Sequence, residues 1–380
     1  MGATPKRFGL WEISLKPWID YRGLSIRFQG MSKDKEITIL AEEACGWPNL
    51  TLLPGGEALC VHFNRPSHGL EEGDVACAAS DDQGQTWEFR GTPAPHPEGG
   101  NRMHLAVGLA GNDDLLVFSS GFSVQDEQFA GFGGQWLSRS SDGGRTWEVD
   151  DSPKVPEHCL GSIPFGRILK LSDGRLAYSC YRSEGKGNPS KTWIVFSEDD
   201  GRTWSNSAQF GEDDSNEATL LEVEPGRLLA AVRTHLDHHV KLCESTNGGS
   251  SWSDLGPLTL PMQHPADIIR LGEGLILLTY GMRNRGLMGV GARLSQDGGT
   301  TWRAPWVLHQ FGDEATDCGY PSTVLLDEGG ALLTATYTDY ESSFGEAAEG
   351  YRTISFKWSL EDYLDEKTLR SISDGKLLKI

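Results

Sequence analysis

The chain has 380 residues, with 54 acidic side chains against 34 Lys and Arg, so its formal net charge at pH 7 is -20. Such a field repels phosphate backbones and anionic lipid surfaces, so we expect neither nucleic acid nor a membrane as a partner. The 47 Gly and 18 Pro favour short strands joined by tight turns over long helices, and they predict an all-β protein.

The N-terminal residues contain no apolar stretch of the signal-peptide type, and no segment reaches the roughly 18 apolar residues of a membrane-spanning helix. We therefore expect a soluble, cytoplasmic protein, or a secreted one if a leader precedes this sequence. The seven cysteines are scattered without C-x-x-C spacing and indicate buried free thiols. His235, His238 and His239 lack a fourth ligand at zinc-like spacing, so no metal or cofactor is predicted.

Two repeats follow one another along the chain. In the first repeat, a short turn rich in Asp and Gly is followed by an apolar run. It occurs six times, beginning near positions 52, 111, 171, 223, 271 and 326. An octapeptide of the form Ser-x-Asp-x-Gly-x-Thr-Trp occurs five times, beginning at Ser80, Ser140, Ser197, Ser245 and Ser295. Asp accepts hydrogen bonds from nearby backbone, Gly supplies a positive φ and Trp anchors the loop, so each octapeptide predicts a structural hairpin turn.

Each repeat unit predicts four short strands that cannot bury both faces alone. Such four-stranded units stack radially around an axis. Six of them predict a six-bladed β-propeller of four-stranded antiparallel blades, in a single domain over residues 1–380. The last unit lacks an octapeptide, so its missing outer strand should come from the segment Glu36 to Leu40, pairing the chain ends. Residues 1–30 are predicted to be peripheral, and residues 361–380 to form a surface tail that begins with a short helix.

The octapeptide resembles the Asp-box, and the whole chain resembles the sialidase superfamily of six-bladed propellers. Glu217 and Arg233, on either side of one apolar turn, are similar to the sialidase strand pair that carries a catalytic Glu and a carboxylate-binding Arg. Tyr320 opens the last inner strand as the sialidase nucleophile does. Arg283, or its neighbour Arg285, resembles the last arginine of the carboxylate-binding triad.

The resemblance implies a retaining exo-glycosidase for a terminal acidic sugar. A free phenol is a poor nucleophile near neutral pH, so Tyr320 needs a carboxylate such as Glu217 to accept its proton. A neutral nucleophile suits a substrate whose own carboxylate is next to the anomeric carbon, and Tyr is the known sialidase exception among glycosidases. Arginines would hold that carboxylate by charge-assisted forks, which the negative overall charge makes necessary.

The sequence departs from the sialidase pattern at two positions. Gly46 stands where the first triad arginine is expected, and Arg65 and Arg182 are the candidates to replace it. Glu71 stands where the family has its general-acid Asp, and it is predicted to protonate the leaving oxygen.

Two alternatives remain open from sequence. The first is a non-catalytic carbohydrate-binding propeller, which the absence of an arginine at Gly46 favours. The second is a propeller hydrolase or lyase for uronic-acid polysaccharides, working through groups near His62 or His264. Contact between Tyr320 and Glu217 at one end of a central channel would favour the retaining glycosidase over both.

Overall fold

The computed structural model describes residues 35–126, 128–183, 189–211, 215–312, 315–327, 329–340, 350–365 and 369. Within these ranges the chain forms β-strands and two short 3-10 helices, Glu157–Cys159 and Leu360–Asp362, which confirms the all-β prediction. The predicted peripheral segment 1–30 and most of the tail 361–380 lie outside the described residues. The second 3-10 helix begins the predicted tail, where Ser359 and Asp362 form a reciprocal cap.

The strands group along the chain into six units of four. The first strand in the chain, β1 (Ile37–Glu42), belongs to the last unit. Unit 1 contains β2 (Asn49–Leu52), β3 (Ala58–Phe63), β4 (Val75–Ser80) and β5 (Glu88–Ala94). Unit 2 contains β6 (His104–Leu109), β7 (Leu115–Gln125), β8 (Gln128–Ser140) and β9 (Glu148–Asp150). Unit 3 contains β10 (Ile163–Lys170), β11 (Leu176–Ser183), β12 (Ser190–Ser197) and β13 (Asn206–Phe210).

The second half of the chain supplies the other three units. Unit 4 contains β14 (Ser215–Glu224), β15 (Arg227–Thr234), β16 (Val240–Ser245) and β17 (Ser253–Pro257). Unit 5 contains β18 (Gln263–Gly272), β19 (Leu275–Met282), β20 (Gly289–Ser295) and β21 (Trp306–Gln310). Unit 6 contains β22 (Cys318–Leu325), β23 (Ala331–Tyr340) and β24 (Gly350–Ser359), and it is completed by β1.

Neighbouring strands within each unit pair antiparallel. The predicted pairing of the chain ends is present, because β1 aligns with β24 through pairs such as Ile37 with Phe356. Every predicted apolar run forms the second strand of its unit, so the turn before each run is the hairpin between first and second strands.

The sheets differ from the predicted set of separate four-stranded blades. Four sheets have four strands, but units 2 and 3 share one eight-stranded sheet, because β6 and β10 pair in parallel, with Ala106 opposite Gly166. Gly108 permits this close approach: a Cβ at that position would lie 2.1 Å from the carbonyl oxygen of Ile168. The missing side chain lets two first strands hydrogen-bond where a larger residue would hold them apart.

The core is divided among the contacts between successive units. Six apolar clusters each draw their side chains from two units that are neighbours in sequence, with the last cluster joining unit 6 to unit 1. The first strands contact one another in the same order, from β2 through β6, β10, β14 and β18 to β22, and β22 also contacts β2. Each unit therefore buries both of its faces against neighbouring units.

The five octapeptides adopt one hydrogen-bonded turn. In the first copy Ser80 Oγ donates to Asp82 and accepts from the Gly84 amide at 2.8 Å, while Asp82 also accepts from the Thr86 amide and hydroxyl at 2.9 and 2.6 Å. The other four copies repeat this pattern. Gly84 has a φ of 86°, which explains the invariant glycine of the repeat. The octapeptides are therefore structural turns.

All seven cysteines are buried free thiols, as their spacing predicts. Among the residues described, no helix has the length and apolar character needed to cross a membrane.

Candidate active site

Tyr320 occupies an unusual backbone position at the start of β22. It follows Gly319, precedes Pro321 and has a φ of 53°, in the left-handed region that bulky residues rarely adopt. The pairing of β22 with β23 shifts register between Gly319 and Ser322, so Tyr320 lies on a β-bulge. Bulges redirect side chains, and strained backbone concentrates at functional sites, so this geometry marks Tyr320 as a candidate functional residue.

Tyr320, Glu217 and Arg233 form one hydrogen-bonded group. The Tyr320 hydroxyl donates to Glu217 Oε1, and Arg233 Nη1 donates to Glu217 Oε2 at 2.6 Å. Arg233 Nη1 is also 3.4 Å from the Tyr320 oxygen. Glu217 is on β14 and Arg233 on β15, so the hairpin between these strands brings them together, and the contact with β22 joins units 4 and 6.

The phenol and the carboxyl group of this cluster differ in protonation. Burial and then the negative charge of Glu217 raise the pKa of Tyr320 above its ordinary value. Burial alone would raise the pKa of Glu217, but the charge of Arg233 and the hydrogen bond from Tyr320 leave that pKa below its usual value. A neutral phenol therefore donates to an ionised carboxylate that is 3% exposed.

A second group surrounds Arg283, which follows β19. Arg283 Nε donates to the Cys318 carbonyl at 2.8 Å, Nη2 donates to the Tyr337 hydroxyl at 2.7 Å, and the guanidinium lies 5.4 Å from the centre of the Tyr320 ring. Nη2 is also 3.6 Å from Asp317 Oδ1. Units 5 and 6 thus place a second guanidinium beside Tyr320.

Aromatic rings enclose Tyr320. Trp47 meets it edge-on at 5.9 Å between ring centres, and Tyr337 stacks on it at 5.9 Å. Trp47 also packs 5.1 Å from His104, whose pKa burial lowers to about 4. Units 1, 2 and 6 therefore supply an apolar wall that strengthens the electrostatic interactions beside it.

Tyr320 also lines a cavity to which every unit contributes. Its lining includes residues on or just before the first strand of each unit: Trp47 to Asn49, Leu105, Phe165 and Gly166, Thr219, Pro265 to Asp267, and Tyr320 to Ser322. Tyr320 thus lies at the wall of a cavity around which the six first strands are arranged.

The other predicted site residues lie elsewhere. Glu71 is exposed in the loop before β4. Arg65 is exposed and its Nε donates to the Glu72 carbonyl at 2.9 Å. Arg182 donates to the Leu160 carbonyl at 2.9 Å. Arg285 is exposed beyond β19, so the structure selects Arg283 as the arginine beside Tyr320.

Gly46 is a position with no space for a side chain. A Cβ there would lie 2.8 Å from Phe63 Cβ and 3.2 Å from the Phe63 amide nitrogen. An arginine therefore cannot occupy this position unless unit 1 rearranges. Among the described residues, Arg233 and Arg283 place their guanidinium groups beside Tyr320.

Several residues at the site were missed by sequence reasoning. Trp47 has a φ of 42° between Gly46 and Pro48, and Tyr320 has a φ of 53° in the same Gly-aromatic-Pro setting. The matching tetrapeptides CGWP and CGYP could have revealed Trp47. Tyr181, whose pKa is raised by burial and then by the charge of Glu217, faces the site next to the predicted Arg182. Since side chains alternate along a strand, the neighbouring residue faces the other way.

Three histidines lie close together beyond Arg233. His235, His238 and His264 form a chain of ring contacts at 5.6 and 5.4 Å. In the part of the chain that the structure describes, no three His, Cys, Asp or Glu side chains are arranged to hold a metal ion.

Sequence comparison places the chain among known proteins. The family model for the BNR repeat-like domain matches residues 56–333. A sialidase from Bacteroides fragilis is 24% identical over 301 residues, covering 70% of this chain and 55% of the relative. The chain thus spans little more than half the length of that relative.

Structural comparison agrees with the sequence comparison on the fold. A Dyadobacter fermentans protein of unknown function superposes with a TM-score of 0.70 at 22% identity, covering 85% of this chain and 98% of that one. A Hadza microbial sialidase superposes with a TM-score of 0.66 at 20% identity, covering 86% and 67%. The family model matches most of the chain, which shows that the chain belongs to the BNR repeat-like domain family, and its sequence and fold are similar to those of sialidases.

Proposed function

We propose that this protein is a retaining exo-glycosidase that removes a terminal acidic sugar, sialic acid or a related one, with Tyr320 as nucleophile and Glu217 as its base. The observation that carries the proposal is the hydrogen bond from the Tyr320 hydroxyl to the buried, ionised Glu217. This is the contact that separates the glycosidase hypothesis from a binding propeller or a uronic-acid hydrolase or lyase.

The proposed scaffold is a six-bladed β-propeller in which each unit is one blade. Three observations support it: the pairing of β1 with β24, the six apolar clusters between successive units, and the circuit of first-strand contacts. A propeller places its ligands at one end of the central channel, where Tyr320 would stand.

The chemistry follows from the two protonation states. Tyr320 Oη would form a bond to the anomeric carbon as the glycosidic carbon–oxygen bond breaks, and the phenolic proton would pass to Glu217 Oε1. The leaving oxygen takes a proton from a general acid, and water then releases the sugar from Tyr320, so the anomeric configuration is retained. Arg233 would keep Glu217 oriented through its 2.6 Å bond.

Two available arginine donors beside Tyr320 favour an acidic sugar as the substrate. The structure gives no protein hydrogen-bond partner to Arg233 Nη2 or Arg283 Nη1 among the described residues, and neither atom is buried. Both donors are thus available to a carboxylate beside Tyr320. With Gly46 in place of a third arginine, two guanidinium groups would hold the substrate carboxylate.

The proposal is tested with aryl glycosides of sialic acids, related nonulosonic acids and uronic acids. Tyr320→Phe removes the nucleophile and leaves the ring packing, so kcat/KM should fall by roughly 10³-fold or more with an unchanged melting temperature. Tyr178→Phe is the matched control, because it removes a buried hydroxyl from the core between units 2 and 3, outside the Tyr320 group. Wild-type inactivity on every glycoside, or full activity of Tyr320→Phe, would refute the proposal.

A further inference from the structure

A histidine–aspartate pair lies at the edge of the aromatic wall around Tyr320. His68, in the loop between β3 and β4, has its Nε2 2.6 Å from Asp317 Oδ2. The His68 side chain is 41% exposed. Its Nδ1 is not buried and has no hydrogen-bond partner among the residues described. One ring nitrogen is therefore fixed by a carboxylate while the other is open to solvent.

His68 and Tyr320 share two neighbours. The Trp47 ring centre lies 5.8 Å from His68 and 5.9 Å from Tyr320. The Tyr337 ring centre lies 5.8 Å from His68 and 5.9 Å from Tyr320. The imidazole is thus part of the same ring cluster as the phenol, although unit 1 supplies one and unit 6 the other.

Asp317 is held as an anion that orients several groups. It accepts hydrogen bonds from the hydroxyls of Tyr337 and Tyr351 at 3.2 and 3.3 Å, and Arg283 Nη2 lies 3.6 Å away. Burial alone would raise the pKa of Asp317, but the His68 hydrogen bond and the Arg283 charge lower it to about 2. Because the carboxylate is anchored by these groups, its hydrogen bond to Nε2 fixes the orientation of the His68 ring.

The carboxyl groups and the other imidazoles around the Tyr320 cluster are poor proton donors near pH 7. Glu217 and Asp317 are ionised. Burial lowers the pKa of His104 to about 4 and also lowers that of His264, so both are neutral near pH 7. His68 differs because it combines a carboxylate partner with an open ring nitrogen.

We propose that His68 is the general acid of the glycosidase reaction, a role that rests on the function proposed above. Imidazolium Nδ1–H would protonate the glycosidic oxygen as its bond to the anomeric carbon breaks and Tyr320 Oη bonds to that carbon. The electron pair of the broken bond stays on the leaving oxygen, which departs as an alcohol. In the second step neutral His68 accepts a proton from the attacking water, and Glu217 returns its proton to Tyr320.

The test compares leaving groups on one sugar, using the 4-methylumbelliferyl and methyl α-glycosides of N-acetylneuraminic acid, or of the acidic sugar that the screen identifies. Methanol is a poor leaving group unless an acid protonates its oxygen. The activated phenol 4-methylumbelliferone can leave without protonation by a general acid. His68→Ala should therefore lower kcat/KM by about 10²–10⁴-fold on the methyl glycoside. It should leave kcat/KM on the aryl glycoside within about tenfold of wild type.

His96→Ala is the matched control, because His96 forms a 2.7 Å pair with Asp74 away from the Tyr320 cluster. It should change neither rate, and Glu71→Gln, the acid predicted from sequence, should also leave both rates unchanged. His68→Gln is a second variant should the alanine change lower the melting temperature.

The outcomes separate the two proposals. Equal losses on both glycosides would show that His68 only positions the site, and an unchanged methyl glycoside rate would exclude it altogether. A selective loss in Glu71→Gln would assign the acid to that residue instead. All three of these outcomes require an active wild type, so they are compatible with the proposed glycosidase function. A wild type inactive on both glycosides counts against the glycosidase itself, and the role of His68 falls with it.

Discussion

At the scale of single residues, the site depends on two aromatic side chains held at positive φ. Tyr320 and Trp47 each follow a glycine, precede a proline and lie near φ values of 50°. Pro fixes its own φ and removes a ladder donor, so the strand cannot continue regularly through these positions. Both rings are directed into one cluster, and this shared local geometry places the phenol against Glu217.

The absence of an arginine at position 46 has a steric basis that can be measured. Gly46→Arg should destabilise the fold by about 1–3 kcal/mol, because its Cβ would overlap Phe63, and it should not improve activity. Urea unfolding measures the loss. Gly55→Arg is the control, since nothing lies within 4 Å of a Cβ at Gly55. Equal stability of the two variants would contradict the steric explanation.

At the scale of elements, the one octapeptide that lacks Asp at its third position keeps a side-chain oxygen there as hydrogen-bond acceptor. Asn247 replaces Asp in the fourth copy, yet its Oδ1 still accepts from the Ser251 amide at 2.9 Å and its Nδ2 donates to the Ser251 hydroxyl at 2.8 Å. The turn therefore needs a side-chain oxygen at this position more than it needs a charge.

The charge of Asp82 nevertheless makes the stability of the first octapeptide turn depend on pH. Hydrogen bonds from Thr86 lower the pKa of Asp82 to about 2, below the roughly 3.9 of an unfolded chain. Its stabilisation should be complete above about pH 4 and should disappear as the pH falls through about 2. The melting temperature of Asp82→Ala should lie below that of wild type at pH 6, and the difference should shrink below pH 4.

Asp81→Ala is the control, because Asp81 is the exposed neighbour outside the turn's hydrogen bonds. It should match wild type at both pH values. A difference for Asp82→Ala that stays constant down to pH 2 would show that the carboxylate charge does not contribute.

At the scale of the whole molecule, a largely buried ion pair joins distant units. Arg167 of unit 3 makes a bidentate pair with Asp267 of unit 5, at 3.0 and 2.5 Å. The same guanidinium donates to the carbonyls of Leu50 and Thr323, in units 1 and 6, and Asp267 accepts from the Thr323 amide. Four units are thus joined at one point near the shared cavity.

Breaking this pair should weaken the whole fold. Asp267→Ala should cost about 3–5 kcal/mol, because it leaves the guanidinium buried without its partner. Urea unfolding should show one transition at a lower midpoint. Asp173→Ala, which breaks the exposed pair with Arg175, is the control and should cost about 1 kcal/mol or less. Similar losses in the two variants would contradict a central role for Arg167 and Asp267.

Sequence alone determined the all-β class, the repeat units and the pairing of the chain ends, because local turn chemistry and the spacing of the repeats are present in the chain before it folds. The grouping of Tyr320 with Glu217 and Arg233 was implied by the resemblance to sialidases, and the contact between units 4 and 6 brings these side chains together. The choice of Arg283 over Arg285, the lack of space at Gly46 and the shared sheet of units 2 and 3 depended on contacts between units. The His68–Asp317 pair joins residues 249 positions apart. Only tertiary packing decides such contacts, because no local pattern records which loops of different units will meet.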